Sequence, residues 1–257
     1  MRFSANLGFL WNDRPLPEAI YAAYAAGFDA VECHWPYDIE PDAIVAALAD
    51  TGLRMLGLNT VRGDVANGEN GLSALPGREA EARAAIDQAL HYAQSVGAGN
   101  IHVMAGFAKG ADAETVFLRA LEYACEKASD QRITILIEPL NHYDAPGYFL
   151  SRTSQAADLI ARVGAPNLKL MFDCYHVQLM EGDLTHRLEK LRPILGHVQI
   201  ARVPDRGPPV GGEINFAHIY SVLDGLGWQV PIGAEYKSDL PTDKTLDWLT
   251  VARANGL

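Results

Sequence analysis

The chain is poor in cysteine, in basic charge and in long apolar runs, and each shortage narrows what it can be. Cys33, Cys125 and Cys174 are odd in number and widely spaced, with no C-x-x-C pair. Such a set builds no disulfide framework and suits a reducing cytosol. Lys and Arg total 21 against 32 Asp and Glu, a formal charge of −11. A nucleic-acid groove or an anionic membrane surface calls for the opposite balance. No apolar stretch approaches the roughly 18 residues of a membrane span. The opening residues, Met1 to Leu7, have strand character and lack the apolar core of a signal peptide. The expected location is the cytoplasm, with no membrane and no nucleic acid among the partners. Neither G-x-G-x-x-G nor G-x-x-x-x-G-K-S/T occurs, so no phosphate cradle is expected.

What the chain does have is a regular alternation. At 257 residues and 49% hydrophobic composition it can bury a large core. Strand patterns fall at 3–7, 29–33, 53–59 and 100–104, and four more end on Glu138, Asp173, Gln199 and Glu235. Helical patterns fall between them at 16–26, 42–50, 78–96, 112–129, 154–163, 183–191 and 214–226, with a last one at 243–254. Pro41 near the start and Gly52 just past the end bracket the second helix in the usual way. Eight strand–helix units without a linker predict an α/β fold, a (β/α)8 TIM barrel forming one domain over 1–257. A doubly wound sheet is the alternative architecture. The connection at 60–76 is long for a compact domain, and its Leu72 and Leu75 predict an ordered loop folded over a site.

The run Ile133-Thr134-Ile135-Leu136-Ile137 leads straight into Glu138 and Pro139. An uninterrupted apolar run suits a strand covered on both faces, and the proline ends regular pairing. The three strand patterns that follow also end on an oxygen-bearing side chain. A lone acid at a strand end caps a helix as readily as it binds anything, but four in succession at the catalytic end of a barrel call for a common cause. Glu138, Asp173, Gln199 and Glu235 are therefore candidate metal ligands, and their oxygen-only chemistry suits Mg²⁺ or Mn²⁺. An anionic substrate would then need a cation. Lys237, Arg206, Arg202, His142 and His176 are expected on the same side. His197, two residues before Gln199, is expected to face inward one layer deeper.

Several segments resemble those of the hydroxypyruvate isomerase family, within the xylose isomerase-like barrels. They are Ile137-Glu138-Pro139-Leu140-Asn141, Phe172-Asp173-Cys174-Tyr175-His176, Gly196-His197-Val198-Gln199-Ile200-Ala201, Gly212-Glu213-Ile214-Asn215 and Glu235-Tyr236-Lys237. The resemblance extends over essentially the whole chain and implies interconversion of hydroxypyruvate and 2-hydroxy-3-oxopropanoate. It also implies that Glu138 and Glu235 transfer the proton, while Asp173 and Gln199 complete a divalent-metal site. The substrate it implies is a small anionic sugar acid, for which the charge pattern offers His176, Lys237, Arg206 and His142 as the binding candidates. Arg202 departs from the family pattern, in which an acidic or small residue is expected there. A 2-oxo-tetronate isomerase and a ketose 3-epimerase on the same barrel are the alternatives. Oligomeric state, a homo-oligomer included, is left open.

Overall fold

The computed structural model describes residues 1–254. The last three residues of the expected 1–257 domain lie outside the described residues. Strands β1 (Phe3–Asn6), β2 (Ala30–Glu32), β3 (Gly57–Asn59) and β4 (Asn100–His102) alternate with α1 (Leu16–Ala25), α2 (Pro41–Thr51), α3 (Glu79–Val96) and α4 (Ala111–Ala128). The second half runs β5 (Thr134–Ile137), α5 (Thr153–Val163), β6 (Leu168–Asp173), α6 (Cys174–Met180), α7 (Leu184–Leu191), β7 (Leu195–Ile200), α8 (Phe216–Gly225), β8 (Ile232–Ala234) and α9 (Asp247–Ala254). Every strand pair is parallel, and β1 pairs with both β2 and β8. A bridge between Val31 and Met55 joins β2 to the chain entering β3, which closes the ring. The eight-unit barrel is the observed fold, and the doubly wound sheet is excluded.

The two faces of the strands have different chemistry. Phe3, Val31, Ile101, Ile135, Ile137, Leu170, Phe172, Val198, Ile200 and Ile232 face outward into the main apolar core under the helices. Asn6, Glu32, His102, Glu138, His197, Gln199 and Glu235 face inward and line the barrel cavity. Strand period two thus delivers apolar packing outward and polar groups inward. Register finishes the placement: Asp173 is level with Gln199, and Gln199 is level with Gly233.

Two local departures from expectation have clear causes. The segment after β6 forms a short helix, α6, which the sequence pattern did not announce. Asp173 starts it by accepting a hydrogen bond from the Tyr175 backbone N–H at 2.8 Å. The strand pattern at 53–59 shortens to β3, with Met55 left as an isolated bridge.

The long connection is ordered and docked, as expected. Its middle carries a 3₁₀ turn at Val65–Asn67, and Gly71 donates back to the Arg62 carbonyl at 2.8 Å. Ala74 then bonds the Ala105 carbonyl at 2.7 Å, which fastens the loop beside β4. Gly71 and Gly106 cross in contact: a Cβ on Gly106 would lie 2.2 Å from the Gly71 oxygen. Both have positive φ, a second reason why only glycine fits. Gly106→Ala is expected to destabilise the protein by about 1–3 kcal/mol, measured by urea denaturation, with new proteolytic cleavage inside 60–76.

Candidate active site

The acids at the ends of β5, β6 and β8 converge. Glu138, Asp173, His176 and Glu235 are all buried, and each offers a ligand atom within 4.8 Å of the others. Glu138 and Glu235 follow strands whose outward neighbours are locked in the core, so their side chains are aimed inward by the pleat.

Glu235 and Glu138 sit in contrasting surroundings. Glu235 Oε1 accepts from Asn6 Nδ2 at 2.9 Å and lies 3.0 Å from His34 Nε2. Its Oε2 accepts from Arg206 Nη2 at 2.6 Å. Burial works against ionising Glu235, but Arg206 and then His34 override it and hold the carboxyl well below the ordinary range. Glu138 has no such grip: its Oε1 is buried without a hydrogen-bond partner, and its approach to His102 is 3.6 Å. Burial lifts Glu138 well above the usual carboxylate range, and the charges of Glu235 and Asp173 push the same way. His102 offers no compensating charge, because burial pushes it down to about 3. Burial raises Asp173 as well, against the pull of Arg206. One pocket thus places two glutamates in opposite electrostatic surroundings, one favouring the charged form and one the neutral form, an asymmetry that can separate base from acid.

Four polar atoms decide how a cation would fit. Glu138 Oε1, Asp173 Oδ2, Gln199 Oε1 and His176 Nε2 are buried and have no hydrogen-bond partner. The buried cluster can hold a metal ion, since unpaired buried oxygens of this kind are stabilised by coordination. His176 presents a donor to this cluster. Its Nδ1 accepts from the Asn141 backbone N–H at 3.0 Å, and a backbone amide can only donate. Burial and Arg206 keep the ring neutral, so the proton must sit on Nε2. Nε2 is then a donor aimed toward Glu138 and Asp173, at 3.9 and 3.6 Å. The amide flip of Gln199 is also dictated. Nε2 of Gln199 donates to Glu32 Oε1 at 2.8 Å, which leaves the oxygen as the free end.

The other candidate residues separate sharply. Arg206 enters the pocket, held within ion-pair reach of Asp144, Asp173 and Glu235. Lys237 reaches the mouth but is exposed, its amine 5.3 Å from the centre of the Phe9 ring. His142 does not join them; it is exposed, with Nδ1 2.9 Å from Met180 Sδ. Arg202 is likewise withdrawn, bonded through two nitrogens to Asp205 at the rim. Its charge is neutralised locally, so the departure from the family pattern adds no free cation to the pocket.

Beneath the acids lies a layer that sequence reasoning only half found. His197 is there as expected, with Nε2 2.7 Å from Glu32 Oε2, although its N–H is not aimed along that line. Glu32 itself was missed, along with Asn6 and His34. Glu32 Oε1 accepts from both Asn6 and Gln199. The signal available was the carboxylate of Glu32 one residue before the end of the strand pattern at 29–33. Gly233 makes room for this layer: a Cβ there would lie 2.6 Å from Glu32 Oε1 and 2.8 Å from Gln199 Cγ. Glu32→Ala is expected to cost about 3–5 kcal/mol, since it strands a buried imidazole and two amides. Glu32→Gln should cost less, and urea denaturation of the two variants checks the order.

Comparison with known proteins agrees with this architecture. Residues 20–251 match the family described as xylose isomerase-like TIM barrel. A 2-oxo-tetronate isomerase from Cupriavidus necator is 43% identical over 252 residues, covering 96% of this chain and 97% of the relative. The hydroxypyruvate isomerase of Escherichia coli is 37% identical over 253 residues, covering 97% and 98%. A Brucella melitensis crystal structure described as an AP endonuclease of family 2 superposes with a TM-score of 0.94 at 40% identity, covering 97% of this chain and 98% of that one. With full-length relatives of this closeness and a matching barrel, the chain belongs to the hydroxypyruvate isomerase family of xylose isomerase-like TIM barrels.

Proposed function

We propose that the protein interconverts hydroxypyruvate and 2-hydroxy-3-oxopropanoate by moving a proton between C3 and C2 through an enediolate. The observation that carries the reading is the convergence of two buried glutamates, Glu138 and Glu235, in one pocket, Glu235 gripped by Asn6, His34 and Arg206 and Glu138 with an unpartnered oxygen. Glu235, ionised, takes the proton from C3. Glu138, in its protonated form, delivers one to C2 while the hydroxyl proton on the C3 oxygen passes to the C2 oxygen, and the roles exchange in the reverse direction. The Nε2–H of His176 and the guanidinium of Arg206 donate toward the oxygens on those carbons, where negative charge develops. Burial of all these groups strengthens each interaction by keeping bulk water out.

A hard divalent cation, Mg²⁺ or Mn²⁺, would be held by Asp173, Gln199 and Glu235 together with Glu138 in its ionised form, three carboxylates and an amide oxygen. Bound there, it supplies electrostatic stabilisation to the enediolate charge. The named activities of the E. coli and C. necator relatives support the same chemistry, and the second makes 2-oxo-tetronate the other substrate to try. Both acids react at the same two carbons, beside the carboxylate.

Incubation with hydroxypyruvate and Mg²⁺ or Mn²⁺ in D₂O, followed by proton NMR, is expected to give 2-hydroxy-3-oxopropanoate carrying deuterium at C2. EDTA should abolish the reaction. A product that keeps its ketone and inverts a neighbouring centre, found only with neutral ketoses, would replace this reading with a 3-epimerase. Glu138→Gln and Glu235→Gln should each lower turnover roughly 10²–10⁴-fold in protein that melts normally. Near-normal turnover in either variant removes that residue from proton transfer.

A further inference from the structure

We propose that Arg62, on the loop between β3 and α3, receives the substrate carboxylate and thereby selects an anionic 2-oxo acid over a neutral ketose. The inference rests on the isomerase reading of the pocket. Arg62 was absent from the cations that the sequence pattern brought forward, because it lies in an irregular loop away from the four strand endings. The structure places it in the wall of the same pocket as Glu138, His176, Arg206 and Glu235.

The other candidate cations are committed elsewhere. Arg206 is shared among Asp144, Asp173 and Glu235, and Arg202 is bonded to Asp205. The charge of each is balanced by acids already present, so what Arg206 adds at the reacting oxygens is hydrogen bonding and not a free cation. His142 turns to Met180, and His176 offers one neutral N–H. Lys237 is exposed at the rim above Phe9. Arg62 has none of these engagements: among the described residues its guanidinium meets no carboxylate, and its one aromatic partner is the face of Trp35.

That partner is what makes Arg62 suitable. The guanidinium carbon lies 3.9 Å from the centre of the Trp35 ring. Stacking holds the guanidinium by its face and leaves the N–H groups at its edge available, the geometry that receives a planar carboxylate through two bonds. The platform is itself fixed. Trp35 Nε1 donates to the Thr60 carbonyl at 3.1 Å, and its ring lies 4.9 Å from that of His34, which contacts Glu235. The backbone of Arg62 is held by the bond from Gly71 that closes the loop. A cation pre-positioned in this way loses little side-chain entropy on binding. The topology agrees: β3 lies across the barrel from β7, so Arg62 faces the acids of β6 to β8 with space for a small acid between. In a 2-oxo acid the carboxylate is attached directly to the reacting C2, so one end is held by Arg62 while the proton-transferring groups act on the other.

The test uses D-glycerate, an unreactive three-carbon acid, as a calorimetric probe, beside steady-state kinetics with hydroxypyruvate. Arg62→Met keeps the stem on Trp35 and removes the charge, and Lys237→Met is the comparison. Arg62→Met is expected to weaken D-glycerate binding roughly 10- to 100-fold and to raise KM for hydroxypyruvate by a similar factor, with kcat changed less than about threefold. Lys237→Met, at the rim of the same pocket, should weaken both by a smaller factor than Arg62→Met. The proposal is overturned if wild-type protein does not bind D-glycerate, if Arg62→Met binds it normally, or if Lys237→Met shows the larger loss. A wild-type protein that binds D-glycerate through Arg62 but turns over no 2-oxo acid would sink the isomerase reading and leave the carboxylate site standing.

Discussion

The pocket depends on the three-sided hold on Glu235. Asn6 and His34 meet one oxygen and Arg206 the other, and together they outweigh the cost of burying a charge. That hold favours the ionised form of Glu235, and its charge pushes Glu138, a few ångströms away, toward the neutral form. Without the donors around Glu235, burial would raise both glutamates, and the difference that separates base from acid would vanish. The three partners come from β1, the end of β2 and the loop after β7, so barrel closure is a precondition of the chemistry.

The polar interior of the barrel extends the same logic downward. Glu32 sits under the acids and accepts from Asn6 and Gln199, with His197 at its other oxygen. Asn6 bridges Glu32 to Glu235, and Gln199 turns its oxygen away from Glu32, so the lower layer dictates how the upper one is presented. Space for this comes from Gly233, level with Gln199 on the neighbouring strand. A barrel filled by branched aliphatics would be easier to stabilise, but it could not orient two amides.

The mouth is built by loops held in different ways. The connection between β3 and α3 is pinned by backbone bonds and by the crossing of Gly71 with Gly106, which keeps Trp35 and Arg62 at the rim. On the opposite side, Arg206 holds a left-handed backbone conformation, φ 55°, within ion-pair reach of three acids. Such a conformation is costly for a non-glycine residue and persists where surrounding contacts over-determine it. The charge inside the pocket and the charge at its rim therefore come from separate devices.

The barrel and its acids were legible in the sequence because both follow from short-range periodicity. Uninterrupted apolar runs marked strands covered on both faces, the helical spacing between them forced parallel pairing, and each polar ending lay where the strands open. Glu138, Asp173, Gln199 and Glu235 were found this way, and so was His197 by its two-residue offset. Tertiary structure alone decided which polar groups meet. The tautomer of His176 depends on a backbone amide 35 residues away, and Glu32 meets Gln199 across 167 residues. Charge on Arg202, Arg206 and Arg62 looks the same in a sequence. Whether each is neutralised depends on neighbours that irregular loops bring in, and no local period encodes those distances.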